Sequence, residues 1–562
     1  MASIRDELWQ YPDSLLPYLR KYRVLAIVVA GLCFGFIGSF FMENVLAVQK
    51  SRVFSTNVYS EGFVGENLRL HPLVQAPTSY EKDVSRLIYS SLVKIDAIGN
   101  MLPDLSQTWT ISEDGKSYTF FLRQGVYWHD GVEFTSEDVK TTFELMKAGG
   151  ASVPNGEILK DVEIRTPGKY TIEFVLPQSN SSFLELVVVG IVPSHIYKGY
   201  TYNRYASSVV DARPIGTGPY RFQQKVNNVY TLRVNDRYYA QKPVIPTVQL
   251  KAYITQSEAL AAFAKGDVYS IVNVSPDKAP DFSRYKTTQL QKYSLSNNTR
   301  VVFFNITIDK EKLSPEVRTA FAYSVDKRDL IEQIPGSEMA YGPYSPSSWV
   351  YNPAVEDMLV HSPARADEIL EKAGWIYNEE QGKRMKGDES LVLTLTFLDT
   401  DQNRLIVEKL REYAKSIGID LVLDPTDRET ITQKVLPERA FEMLLFEVQT
   451  STDPDLYTLW HSSQAKYPGL NISGIDSSRV DGLLERGRIT TNRDNRYSYY
   501  RQFQEVLVDE VPAIFLYHPP LYTVRFDIIQ KPEEDTYLQP EERLSTLTSW
   551  RIEPRWRNWQ TR

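Results

Sequence analysis

Cysteine is almost absent: Cys33 stands alone among 562 residues. An internal disulfide is thereby excluded, and so is any cysteine-built zinc site. Histidine is scarce too. His71, His129, His195, His361, His461 and His518 are scattered along the chain, a spread that suggests no metal cluster, and no HExxH pair occurs. Positive charge is in deficit, 63 Lys and Arg against 71 Asp and Glu, which disfavours a nucleic-acid binder. Low-complexity tracts and solenoid-length repeats are missing.

What is present is a long chain of ordinary globular composition. Its 562 residues exceed what one compact core organises, so two or more units are expected. The 35 tyrosines suit a wet recognition cleft, or simply half-buried strands where Phe would also serve. Residues 24–42, VLAIVVAGLCFGFIGSFFM, carry no charge. As a helix they would span roughly 30 Å of hydrocarbon. Arg20, Lys21 and Arg23 lie before this run and Glu43 after it, so the expectation is a cytoplasmic 1–23, an uncleaved anchor over 24–46, and the remainder outside. A leader removed near Val45-Leu46-Ala47 is the alternative; the long apolar run and long preceding segment favour the anchor.

The outer part alternates strands and helices. RVFSTNVYS (52–60) and SYTFFLR (117–123) alternate like strands, and YEKDVSRLIYSSLV (80–93) reads as a helix. SPEVRTAFAYSVDKRDLI (314–331) starts on a Ser cap and a first-turn Pro. LVLTLTFL (391–398), NRLIVEKLREYAKSIGIDLVL (403–423) and FEMLLFEVQ (441–449) read as strand, helix–strand and strand. The fold class expected is α/β with mixed sheets in several lobes.

Two stretches look like chemistry. QGVYWHDGVEFTSEDV (124–139) sets His129 beside Asp130. Asp130-Gly131 is turn material, and Thr135 with Asp138 makes a capping box for the next helix. No nucleophile with a matching elbow lies nearby, so His129 is read as scaffold. IGTGPYRF (215–222) lacks a following Gly-Lys-Ser/Thr, and Pro219 would break a phosphate-binding helix; a tight crossover is the physical reading.

Taken in order, DGKSYTFFLRQGVYWHDGVEFTSEDV (114–139), IVPSHI (191–196), IGTGPYRF (215–222), LAAFAKGDV (260–268), FFNITIDKEKLSPEVRTAFAYSVDKRDLI (303–331), TDPDLYTLWHSS (452–463) and VPAIFLYHPP (511–520) resemble the bacterial extracellular solute-binding proteins of family 5. These are the oligopeptide-, dipeptide- and nickel-binding receptors of ABC importers. The resemblance covers roughly residues 52–556. It implies a two-lobed periplasmic-binding-protein-like fold of the class II or cluster C type with an extra N-terminal subdomain, here preceded by one transmembrane helix. The implied division is lobe I over 50–285 plus 505–556, with the extra subdomain at 80–200, and lobe II over 286–504. It also implies a peptide or similar small organic ligand, ABC permease partners, a bilayer contact through 24–46, a monomer, no cofactor and no catalysis.

In peptide-binding members, an Asp in a Trp-x-x-Asp-Tyr-x-Asp-Pro-like segment pairs with the ligand's ammonium group. The matching segment here is FEVQTSTDP (446–454), and it puts Thr450 where that acid belongs. Thr450 carries no charge, which argues against a free peptide N-terminus; Glu447 is the available substitute. The resemblance then implies Tyr59, Ser60, Glu61, Glu447, Gln449, Thr450, Thr452, Asp453 and Tyr517 as ligand-facing positions. Asp453 has an alternative reading as a helix cap. A surface sensor or other non-transport binding module of the same fold is the rival function. A hydrolase is disfavoured by the lack of a nucleophile–base pair.

Overall fold

The computed structural model describes residues 55–553 apart from 74–77, 97–99, 154–155, 210–212, 276–277, 279–281, 283–287, 295–297, 451–452 and 532–542. Two large sheets organise them. The first has seven strands in the order Thr288–Ser294, Pro520–Phe526, Ser270–Val274, Val58–Val64, Thr247–Tyr253, Val229–Val234, Tyr220–Val226. Val58–Val64 runs parallel to both its neighbours, and the other pairings are antiparallel. A strand with partners on both sides and layers over both faces is buried throughout, and five of its seven residues are.

The second sheet has six strands in the order Glu338–Met339, Ala513–His518, Asn298–Phe304, Met443–Gln449, Val392–Leu398, Asp420–Thr426. Side chains alternate across it. Val302 and Phe304 join a core with helices Pro315–Ser324, Pro363–Lys372 and Asp401–Ser416. Val301 and Phe303 join a second core with Ser478–Ile489 and Arg493–Glu510. Ser314 caps its helix as expected, accepting from the Val317 N–H.

A smaller antiparallel sheet, Ser106–Ile111, Ser117–Leu122, Thr171–Val175 and Glu163–Gly168, lies within residues 80–200. Tyr118, Phe120 and Leu122 point inward and Phe121 outward, the alternation expected of this strand. Its core is continuous with that of the seven-stranded sheet. The helix expected at 80–93 ends early, at Ile88. Gly218 donates its N–H to the Ile88 carbonyl at 2.8 Å, and a Cβ on Gly216 would stand 1.9 Å from the same oxygen. The two glycines of IGTGP therefore let a crossover press against a helix end.

The chain leaves the first sheet at Ser294, enters the second at Asn298, leaves it at His518 and re-enters the first at Pro520. These changes of sheet come later than the divisions at 285/286 and 504/505 expected from the sequence, because strand pairing sets them. Ser294 pairs with Pro520, and Arg300 pairs with Tyr517, so the two crossings run side by side. Among the described residues no helix is long and apolar enough to cross a membrane. The anchor expected at 24–46 lies outside the described residues.

Candidate functional site

The stretch that looked most like catalysis is structural. The Gly216 N–H donates to His129 Nδ1 at 3.2 Å, so Nε2 carries the proton and donates to the Gly218 carbonyl at 3.1 Å. Both ring nitrogens are occupied, and burial lowers the ring's pKa to about 4. Asp130 turns away to His195 Nε2 at 2.7 Å, and Asp138 accepts from the Thr135 N–H at 2.8 Å. His129→Ala is expected to cost about 1–3 kcal/mol in denaturant unfolding, with solute binding unchanged in titration. Among the described residues, no group of three His, Cys, Asp or Glu could hold a metal ion.

The expected ligand-facing residues separate into three groups. Tyr59, Ser60 and Glu61 are buried in the seven-stranded sheet. Tyr59 donates to Glu61 at 2.5 Å, and Glu61, 0 % exposed, takes both arms of Arg543 at 2.8 and 2.7 Å. Arg543 also stands 3.0 Å from buried Asp83. The C-terminal segment thus docks on the first strand through one cation and two carboxylates.

Glu447 lies opposite Arg300 in strand register and pairs with it at 2.9 Å; it also accepts from Asn298 at 2.7 Å. Its charge is thus already matched within the sheet, and it does not stand in freely for the acid missing at 450. Gln449 is exposed and Thr450 half-buried at the end of the same strand. Thr452 lies outside the described residues. Tyr517 is fully buried at the crossing, and burial raises its hydroxyl pKa. Beside it, His518 Nδ1 lies 3.0 Å from the Asn298 carbonyl.

Asp453 lines a cavity, and it does so as part of a clasp. Arg496 donates to both its oxygens at 2.8 and 3.0 Å, and Ser182 of the small subdomain donates at 2.8 Å. Asp453 does not cap the helix that follows, Tyr457–Trp460, as the alternative reading had it; it accepts from the Asp455 N–H at 3.0 Å in a local turn. Arg488 holds Asp455 at 2.7 Å. Helix Ser478–Ile489 ends here, and its last carbonyls need partners. Ser181 donates to the Arg488 carbonyl at 2.8 Å, and Ser179 to that of Ile489 at 2.9 Å. The polar run Ser179–Ser182 thus joins the segment that follows the small antiparallel sheet to helix Ser478–Ile489 and Asp453.

Beside the clasp is a cavity of about 390 Å3. Met101, Ile111 and Leu184 form one wall, and Trp349, Arg493 and Arg496 another. The Arg493 guanidinium lies 4.8 Å from the centroid of the Trp349 ring. Sequence reasoning found Asp453 but not Arg496, Ser182, Trp349 or Arg493. The Gln-Ser-Asn-Ser-Ser run at 178–182 was the one local cue, a polar loop with no partner visible in sequence.

Comparison with known proteins agrees with this architecture. The family model for the bacterial extracellular solute-binding proteins, family 5 Middle, matches residues 100–468. The oligopeptide-binding protein AppA of Bacillus subtilis is 26% identical over 478 residues, covering 82% of this chain and 85% of its own. The nickel-binding periplasmic protein of Escherichia coli is 25% identical, covering 80% and 86%. Among solved structures, CtaP from Listeria monocytogenes superposes with a TM-score of 0.77 at 20% identity, covering 89% of this chain and all of its own. NikZ from Campylobacter jejuni, in complex with Ni(L-His), superposes at 0.74 and 22% identity with the same coverage. The matched sequence and the shared mixed α/β fold together make this chain a member of the bacterial extracellular solute-binding proteins, family 5.

Proposed function

We propose that this protein is the membrane-anchored solute receptor of an ABC importer, closing two lobes on a peptide or similar small organic solute and delivering it to permease subunits. The observation that carries the reading is the cavity whose walls come from both sides of a two-strand crossing. Lobe I comprises the seven-stranded sheet with the subdomain at 80–200, and lobe II the six-stranded sheet. The protein works as a monomer, and the solute leaves unaltered. A solute shifts the lobes toward closure only by its greater affinity for the closed form, and a wall shared between lobes supplies that difference. Residues 24–46 hold the receptor beside its permease.

The test combines mass spectrometry of small molecules released from gently purified protein with small-angle scattering before and after their return. The expected result is one recovered class of solute that shrinks the particle when added back. An unchanged particle with every recovered solute, or chemical conversion of a captured one, overturns the proposal. Retention of the full chain in carbonate-washed membranes, and its release on deletion of 1–46, checks the anchor.

A further inference from the structure

The interlobe cavity contains two arginines with different surroundings. Arg496 is neutralised, since both Asp453 oxygens accept from it. Arg493 is not: among the described residues no carboxylate lies within ion-pair distance of it. Its nearest polar contact is the Asn100 side-chain oxygen at 3.5 Å, the long limit of a hydrogen bond. Asp96, the nearby acid on that side, is turned to Asn100, accepting from its backbone N–H at 2.8 Å and its amide at 3.0 Å. The Trp349 ring backs the Arg493 guanidinium, which leaves most of its N–H donors unspent.

Among the described residues, the single carboxylate in the wall has the opposite status. Asp453 accepts from Arg496, from Ser182 at 2.8 Å and from the Asp455 N–H at 3.0 Å. A ligand ammonium entering here would compete with a guanidinium already seated on both oxygens. Thr450, at the position where peptide-binding relatives are expected to carry their acid, adds no charge. The cavity therefore lacks an unused anion and has an unused cation.

We propose that this cavity takes a small solute bearing a carboxylate, which Arg493 receives, with an apolar body lying against Met101, Ile111 and Leu184. The proposal rests on the solute-receptor reading and names the chemistry of its ligand. A guanidinium presents a planar fork that matches a carboxylate with two parallel N–H···O bonds. The volume of about 390 Å3 falls in the range of small-ligand sites and suits a solute the size of a dipeptide. Recognition by the anionic end makes a free amino terminus dispensable.

The test is calorimetric titration of the full chain in detergent with leucyl-leucine, N-acetyl-leucyl-leucine and leucyl-leucine amide. The two acids are expected to bind within about threefold of each other, and the amide about tenfold or more weaker, the loss that follows from removing a charge-assisted pair. Arg493→Gln is expected to bring both acids down to the amide's affinity and leave the amide unchanged. Arg493 is exposed, so the melting temperature of this variant should match wild type. The acid–amide comparison on the wild-type chain needs no variant at all. Equal binding of the amide, a requirement for the free ammonium, or no binding of any of the three overturns the proposal. Recovery of another solute with a closing response would meanwhile leave the receptor reading standing.

Discussion

Arg543→Ala should lose about 3–5 kcal/mol of stability in denaturant unfolding, the largest effect expected of any single substitution here. The guanidinium is buried against two buried carboxylates, Glu61 at 2.7 Å and Asp83 at 3.0 Å. Removing it leaves the Glu61 carboxylate in a dry environment without its guanidinium and takes the same cation from beside Asp83. It also releases the Leu544 N–H, which donates to Asp83 at 2.7 Å, and with it the docking of Trp550 against Tyr59. Denaturant titration followed by Trp fluorescence reads the loss.

The same cluster sets a pH dependence. One guanidinium cannot neutralise two carboxylates, and Glu61 has both of its arms. Burial pushes Asp83 up to about 7, against the pull of Arg543. An unfolded Asp titrates near 3.9. Between about pH 4 and 7 the folded chain therefore keeps a proton that the unfolded chain has released. The contribution of this group is greatest at the acid end, falls as the pH rises to about 7, and is flat above. Asp83→Asn should remove that slope, about 1 kcal/mol per pH unit across the window, when the two proteins are unfolded in urea side by side.

Arg496→Met is expected to weaken solute affinity by about ten- to hundredfold while leaving each lobe folded. Arg496 is buried and serves the clasp at both Asp453 oxygens, at the Ser182 hydroxyl at 3.4 Å and, through Nε, at the Gly487 carbonyl at 3.1 Å. Without it Asp453 stays partly buried and loses the guanidinium that both its oxygens accept from, which weakens the contact to Ser182. Scattering of the solute-saturated variant should show a larger particle than wild type. The double variant Arg496→Met, Asp453→Asn should recover part of the affinity, because the stranded charge is gone. If the single variant binds and closes like wild type, the contact is incidental.

Much of the scaffold was readable in advance. The alternation at 117–123, the Thr135–Asp138 cap and the Ser314-Pro315 helix start are local signals, and each appears where its residues put it. The role of His129 was readable too, because Asp-Gly beside it demands a turn. The site was less legible for a physical reason. Tyr59 and Glu61 stand at the end of a stretch whose sequence alternation suggests a half-exposed strand, but the strand is buried and the cation that claims Glu61 lies 482 residues further on. Asp453 was found through its neighbour Pro454; its partners Arg496 and Ser182 lie 43 and 271 residues away, where no periodicity reaches. Glu447 shows the limit of charge reasoning by type alone, since only strand register reveals that Arg300 faces it.

The position of Pro520–Phe526 inside the first sheet, between Thr288–Ser294 and Ser270–Val274, has a consequence for the order of assembly. That sheet cannot be completed until nearly the whole polypeptide has emerged, because a late strand fills an interior slot that residues synthesised much earlier must hold open. The second sheet is drawn from one unbroken stretch of chain and meets no such delay. Contacts far apart in sequence form slowly, since the intervening chain must first be brought round. The domain that begins first along the polypeptide is thus the one that finishes last.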